Sequence, residues 1–211
     1  MSEPDERPRR RQARGERRVS QLLQAAANVF CAVGYTASST NAIAREAGVS
    51  PGTLYQFFPN KEAIAVELSG QLIKEMEATH GRIFTAETAR LPLGRLIDEV
   101  TDPFIEFNAA NPAFLALIQG PDTPGRVADE HNVLHDSLLE QVTELLAVRV
   151  PSLSRAERSL IAEMSFAMFK AGLNLVMQHR EDRRDAYARE LKGVLYRYLE
   201  PYVGVDAVAA P

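Results

Sequence analysis

The chain has 211 residues, 45% of them apolar and 25% charged, with one cysteine, no tryptophan and a formal net charge of −4. That length supplies one large or two small domains with a sizeable core, and the composition excludes wholesale disorder. A single thiol excludes an intrachain disulfide and a cysteine-based zinc site, and no stretch approaches ~20 uncharged apolar residues, so no membrane span is expected.

The charge is unevenly spread. Residues 1–61 carry nine Lys/Arg and five acids, a net +4, and the remainder is −8. A basic end on an acidic body points to a polyanion, nucleic acid first and an anionic membrane second, against the plain alternative of a solvated tail. Residues 1–16 contain Pro4 and Pro8 and almost no apolar side chains, and read as a flexible basic arm.

From Val19 the pattern is helical. Leu22, Leu23, Ala26, Ala27, Phe30 and Val33 share a face, and Gly34 follows as a stop. Ser38 or Ser39 caps a short second helix with Ile43, Ala44 and Ala47 inward, ended by Gly48. Ser50 caps a third, with Pro51 at its first position, where proline is tolerated. Leu54 and Phe58 anchor it. Pro59 and Asn60 break it, and Lys61 opens a helix to about His80. Further helices are expected over about 91–110, 112–118, 126–148, 154–179 and 184–202, with a loop at 119–125 and a disordered tail at 204–211. The expectation is an all-α chain of about nine helices.

Two short capped helices joined by Gly48, Val49 and Ser50 form a DNA-binding helix-turn-helix pattern, in which the second helix enters the major groove. Pro51, Gly52 and Thr53 give that helix a slim tip, and Gln56 is the outward residue able to contact adenine bidentately. The stretch TASSTNAIAREAGVSPGTLYQFFPNKEAI resembles the DNA-binding region of the TetR family of bacterial transcriptional regulators. The resemblance rests on Gly34 with Tyr35, Ser38 with Ser39, Ile43 with Ala44, and the run from Ala47 to Ser50. It continues through the run from Gly52 to Tyr55, Phe58, and Lys61 with Glu62. Ala42 and Phe57 stand where the family often has an acid and a His or Tyr.

The resemblance implies a helix-turn-helix domain over 17–64, a ligand-binding and dimerising domain over 65–203, and a homodimer. By position it implies phosphate contacts from Ser39, Thr40 and Lys61, recognition-helix contacts from Thr53 and Tyr55, and base-facing positions at Pro51, Gly52 and Gln56, with Ser50 in the turn between. With so few base-reading side chains, DNA shape is expected to share in specificity. Arg9, Arg10, Arg11 and Arg14 of the arm are expected to follow the minor groove or the phosphates.

In the larger domain the helix from Ser154 is apolar nearly all round and needs covering on several sides. By resemblance it and the last helix form a four-helix bundle with their copies, through Ala167, Ala171, Leu175, Leu191, Leu195 and Tyr198. Phe104, Phe107, Phe114, Leu117, Phe166 and Phe169 are candidates to line a cavity for a largely apolar small-molecule effector.

His131 and His135 lie four apart beside Asp136 and Glu140, but zinc-protease spacing is absent, and Cys31 reads as a small apolar residue; no metal, cofactor or catalytic group is expected. The reading is a cytoplasmic, nucleoid-associated, ligand-responsive repressor bound to a palindromic double-stranded operator, with no membrane partner and no enzymatic activity. The alternatives are a ligand-independent architectural DNA-binding protein and, more remotely, a helical-bundle enzyme.

Overall fold

The structure is a computed structural model that describes residues 6–118 and 123–204. The expected loop at 119–122, the tail from 205 and arm residues 1–5 lie outside the described residues. Among those described there are ten α-helices and no strand: α1 (Glu6–Ala37), α2 (Thr40–Glu46), α3 (Pro51–Tyr55), α4 (Lys61–His80), α5 (Ala86–Ala89), α6 (Leu93–Ala110), α7 (Pro112–Ile118), α8 (Gly125–Arg149), α9 (Arg155–Gln178) and α10 (Glu181–Val203). The tenth is α5. It is a single turn capped by Thr85 Oγ1, which accepts from the Thr88 amide at 3.1 Å. Four residues are too few to show a hydrophobic period.

α1 reaches back to Glu6, so the segment 6–16, expected as a flexible arm, is helical. Gly34 interrupts it with φ 76° and ψ 165°, a backbone region that residues with a Cβ avoid.

The chain divides into two compact units, Met1–Leu72 with Pro112–Glu130, and Ile73–Asn111 with His131–Pro211. The first unit is larger than the 17–64 segment expected. It takes in the first half of α4, all of α7 and the start of α8. The reason is packing: α7 lies against α1 and buries Ala113, Phe114 and Leu117. Leu22, Ala26, Phe30, Ile43, Leu54 and Ile64 are among the other buried apolar residues of this unit.

In the second unit α10 packs against α9 and α6. The α9–α10 approach is tight at Gly172. A Cβ there would overlap Leu191 Cδ1 and stand 3.0 Å from its Cγ and 3.1 Å from its Cδ2. Lys192 Nζ ties α10 to α6 through Asp98 at 2.9 Å and Asp102 at 2.6 Å. Arg149, 3% exposed at the end of α8, donates to the carbonyls of Ala89, Leu91, Val203 and Gly204. It thereby closes the C-terminal ends of α5 and α10, where carbonyls lack intrahelical partners.

α9 starts with a capping box between Ser154 and Glu157. By length and composition it could cross a bilayer, with an 18-residue window of mean hydropathy 1.4, although Glu163 and Lys170 interrupt its middle. Only 22% of that window is buried. The apolar surface it leaves bare runs along one face: Leu160 is 60% exposed, Met164 46% and Leu175 50%, with exposed Ala167 and Ala171 between them.

Candidate nucleic-acid interface and effector cavity

The helix-turn-helix is built by local backbone chemistry. Ser39 caps α2, its Oγ accepting from the Ala42 amide at 3.1 Å. At the far end Gly48 takes φ 65°, and the Val49 amide reaches back to Ala44 O at 2.9 Å, closing a Schellman turn. Gln21 Nε2 of α1 donates to Ala47 O at 2.6 Å, satisfying another terminal carbonyl. Ser50 then caps α3, accepting from the Thr53 amide at 3.1 Å and pairing with Thr53 Oγ1 at 3.0 Å. Leu54 and Phe58 are buried beneath α3.

That anchoring fixes what faces out. Ser39, Ser50, Pro51, Gly52, Tyr55 and Gln56 are exposed, and Thr40 and Thr53 are half-buried. Tyr55 is 51% exposed and its OH meets Thr40 Oγ1 at 3.0 Å, which joins the tip of α2 to α3. The hydroxyls and the Gln56 amide of this set are groups of the kind that position a duplex backbone beside a groove-reading helix, while the Thr53 and Leu54 amides are already bonded to Ser50.

Lys61 does not belong to that set in the way expected. Its ammonium donates to the carbonyls of Tyr35 at 2.8 Å, Ser38 at 3.1 Å and Thr36 at 3.2 Å, and lies 4.4 Å from the Tyr35 ring centroid. An ammonium has three protons, and all three are committed. Lys61 closes the end of α1 and sets where α4 begins.

The second unit holds an apolar cavity of about 100 Å³. α6 contributes Leu96, Ile97, Val100, Thr101 and Phe104; α8 contributes Leu138, Val142, Leu145 and Leu146; α9 contributes Ser165, Phe166 and Phe169; α10 contributes Leu195, Leu199 and Val203. Phe84 also lines it. Of the six candidates from sequence, Phe104, Phe166 and Phe169 are on the wall. Phe104 and Phe169 meet edge to face with centroids 5.6 Å apart. Phe107 is buried off the cavity wall, and Phe114 and Leu117 belong to the other unit, packed in with α1. The aliphatic wall from α8 and α10 was missed, although its positions recur at three and four residues, as a helix face requires.

The two hydroxyls on the wall turn their protons away: Thr101 Oγ1 donates to Ile97 O at 2.8 Å and Ser165 Oγ to Ile161 O at 2.7 Å. No charged side chain lines the cavity. The surface it presents is wholly apolar, so it offers dispersion contact alone, which suits an apolar chain. His135 stacks edge-on against the wall residue Phe166 at 4.7 Å. Its neighbour His131 is held below the ordinary imidazole range by desolvation, then by Lys170 and His135. No group of three or more metal-ligating side chains occurs among the described residues.

Of the six residues expected at a subunit interface, Ala167, Ala171 and Leu175 lie on the bare face of α9, and Tyr198 is half-buried on α10 beside exposed Tyr202. Leu191 and Leu195 face inward, 6% and 4% exposed, and belong to the chain's own core. Leu160, Met164 and Val194 take their place among the exposed apolar residues.

Two family models match the chain: "Bacterial regulatory proteins, tetR family" over residues 22–68 and "Tetracyclin repressor-like, C-terminal domain" over residues 92–199. The HTH-type transcriptional regulator YhgD of Bacillus subtilis is 23% identical over 182 residues, covering 84% of this chain and 92% of that one. The fatty acid metabolism regulator protein of Bacillus subtilis is 43% identical over 61 residues, 27% of this chain and 31% of that one. Among solved structures, the fatty acid degradation regulator FadR from Bacillus halodurans aligns with TM-score 0.61 at 21% identity, covering 84% of this chain and 93% of that one. A TetR-like regulator from Rhodococcus sp. RHA1 aligns with TM-score 0.68 at 21% identity, covering 86% and 95%.

Proposed function

Because this chain belongs to the TetR family of transcriptional regulators, whose members bind DNA operators and small-molecule effectors and dimerise, we propose that it is a homodimeric repressor released by an apolar, chain-shaped effector. The observation that carries the reading is the coexistence of a capped, slim-tipped α3 in one unit and an uncharged apolar cavity in the other.

Ser39, Thr40, Ser50, Thr53 and Tyr55 position the backbone of the duplex, and Pro51, Gly52 and Gln56 face the bases. Lys61 supports them from behind. Two copies of α3 spaced by about 34 Å match successive major grooves of a near-palindromic site. The bare face of α9, from Leu160 through Met164, Ala167 and Ala171 to Leu175, with Val194, Tyr198 and Tyr202 of α10, joins the two copies. Such a patch is unusual on a monomer's surface. The domains follow the two compact units rather than a single cut near residue 64. The site of action is the cytoplasm, on the nucleoid.

For the effector, the cavity's chemistry and the likeness of this chain to regulators of fatty acid metabolism and degradation support an acyl chain. The test is a thermal-shift and operator-release series with saturated fatty acids from hexanoate to octadecanoate and their coenzyme A thioesters. A ligand at about 100 times its Kd stabilises by ~2.7 kcal/mol, which is roughly 5–11 °C for a chain of this size. Coupling of ~1–3 kcal/mol would weaken operator affinity by about 5–150-fold. DNA binding that persists unchanged, with no shift across the series, would return the reading to a ligand-independent architectural protein.

A further inference from the structure

From the basic extension of α1 we infer that residues 6–18 form a helical rod that lies along the phosphates flanking the operator half-site, as a sequence-independent second contact. The inference rests on the reading that α3 enters duplex DNA.

The segment ERPRRRQARGERR holds seven arginines and two glutamates, and Ala13 is its one apolar side chain other than Pro8. A helix with no apolar stripe has nothing to bury against its own protein. Like charges four apart on a helix repel, as Arg14 and Arg18 do here. A polyanion removes that repulsion, and the segment is helical in continuity with the packed part of α1.

Placement selects the partner. Arg18 Nη1 donates to Gln21 Oε1 at 2.8 Å, and Gln21 Nε2 donates to Ala47 O at 2.6 Å. Ala47 immediately precedes the turn that launches α3. The rod thus begins beside the helix-turn-helix turn, within the same compact unit, and Arg14 and Arg17 are exposed. Thirteen residues at ~1.5 Å each extend about 20 Å, a span over which duplex DNA presents roughly a dozen phosphates.

Helicity also decides how the arm binds. A helix with side chains is about 10–12 Å across, whereas the minor groove is ~6 Å wide. An extended arginine arm could thread that groove; this rod cannot. With α3 occupying the major groove, the phosphate ridge is what remains.

The test uses the full chain and R9Q/R10Q/R11Q/R14Q, with fluorescence anisotropy over a salt series. The probe is a duplex that the unmodified chain has selected from a random-sequence pool. If each arm loses two phosphate contacts, a dimer's log–log salt slope becomes shallower by about 3.6. Its affinity deficit at about 50 mM salt then exceeds that at about 200 mM by roughly 100-fold. A second variant, A13P, keeps every charge and breaks the helix; it is expected to recover much of the shallow slope. An unchanged slope in the arginine variant overturns the inference, as does wild-type behaviour of A13P. Loss of binding to phosphatidylserine vesicles with DNA binding intact also overturns it, assigning the rod to membranes. Failure of the unmodified chain to select any duplex refutes the proposed function itself, so the two failures are separable.

Discussion

Replacing Gly172 by alanine tests whether Leu191 belongs to the chain's own core or to a subunit interface. A methyl at Gly172 would overlap Leu191 Cδ1 and crowd its Cγ and Cδ2, at 3.0 and 3.1 Å. Leu191 is 6% exposed, so it has little room to swing aside. Overpacking of this kind costs about 1–3 kcal/mol, and the depth of the overlap argues for the upper end. Alanine in place of glycine inside a helix returns about 1 kcal/mol. The net expectation is a loss of ~2 kcal/mol, a fall in Tm of roughly 4–8 °C. Leu191→Ala alone should cost about 2–5 kcal/mol, and in the double variant the new methyl occupies part of the vacated space, so the two losses should add to less than their sum. The assays are urea unfolding and, separately, sedimentation over a dilution series. The stability loss should appear with the dimer dissociation constant unchanged. Normal unfolding with weakened self-association would refute the assignment of Leu191 to the interior.

Lys61→Met should lower stability and DNA affinity while leaving the salt slope of binding as it is, because the ammonium serves three carbonyls; a slope shallower by about 0.9 per protomer, read by anisotropy, would mark it as a phosphate contact after all. Leu175→Glu, at the C-terminal end of the bare α9 face, should give a folded monomer by sedimentation with operator affinity reduced at least tenfold, and a persistent dimer would move the interface elsewhere. His131 adds a pH dependence. Its folded-state pKa lies below the ordinary 6.5, so the unfolded chain takes up the proton first as pH falls. The stability it contributes is present above 6.5 and is lost as pH drops from there toward the folded value. His131→Gln should flatten that part of the pH–stability curve, with Lys170 and His135 as the charged and titratable neighbours in play; an equally steep curve would remove His131 from the account.

What the sequence discloses here is what local chemistry decides. Ser39, Gly48, Ser50 and Pro51 each act within five residues of themselves, so the helix-turn-helix can be read from its string of letters. Lys61 cannot, because its partners lie 23–26 residues earlier and only the folded turn brings their carbonyls together. Phe114 and Leu117 look like any aromatic or aliphatic helix face, and nothing local says that α7 packs on α1. The same ambiguity governs α9. A helix apolar on nearly every side announces that it will be covered, yet which stripe faces α10 and which stays bare is set by Gly172 admitting Leu191 on one side only. The uncharged character of the cavity is likewise legible only in part, through three of its four phenylalanines, because its aliphatic wall is assembled from three separate helices.

Arg149 has a consequence for how the molecule is made. Its guanidinium reaches carbonyls 58 and 60 residues behind it and 54 and 55 ahead, the last of them at Gly204. During synthesis this cation has no complete set of acceptors until α10 has emerged from the ribosome and docked. Burying it earlier would strand a charge in an apolar interior. The second unit is therefore barred from closing piecemeal, and a truncated or stalled product lacking the end of α10 would stay open and within reach of proteases.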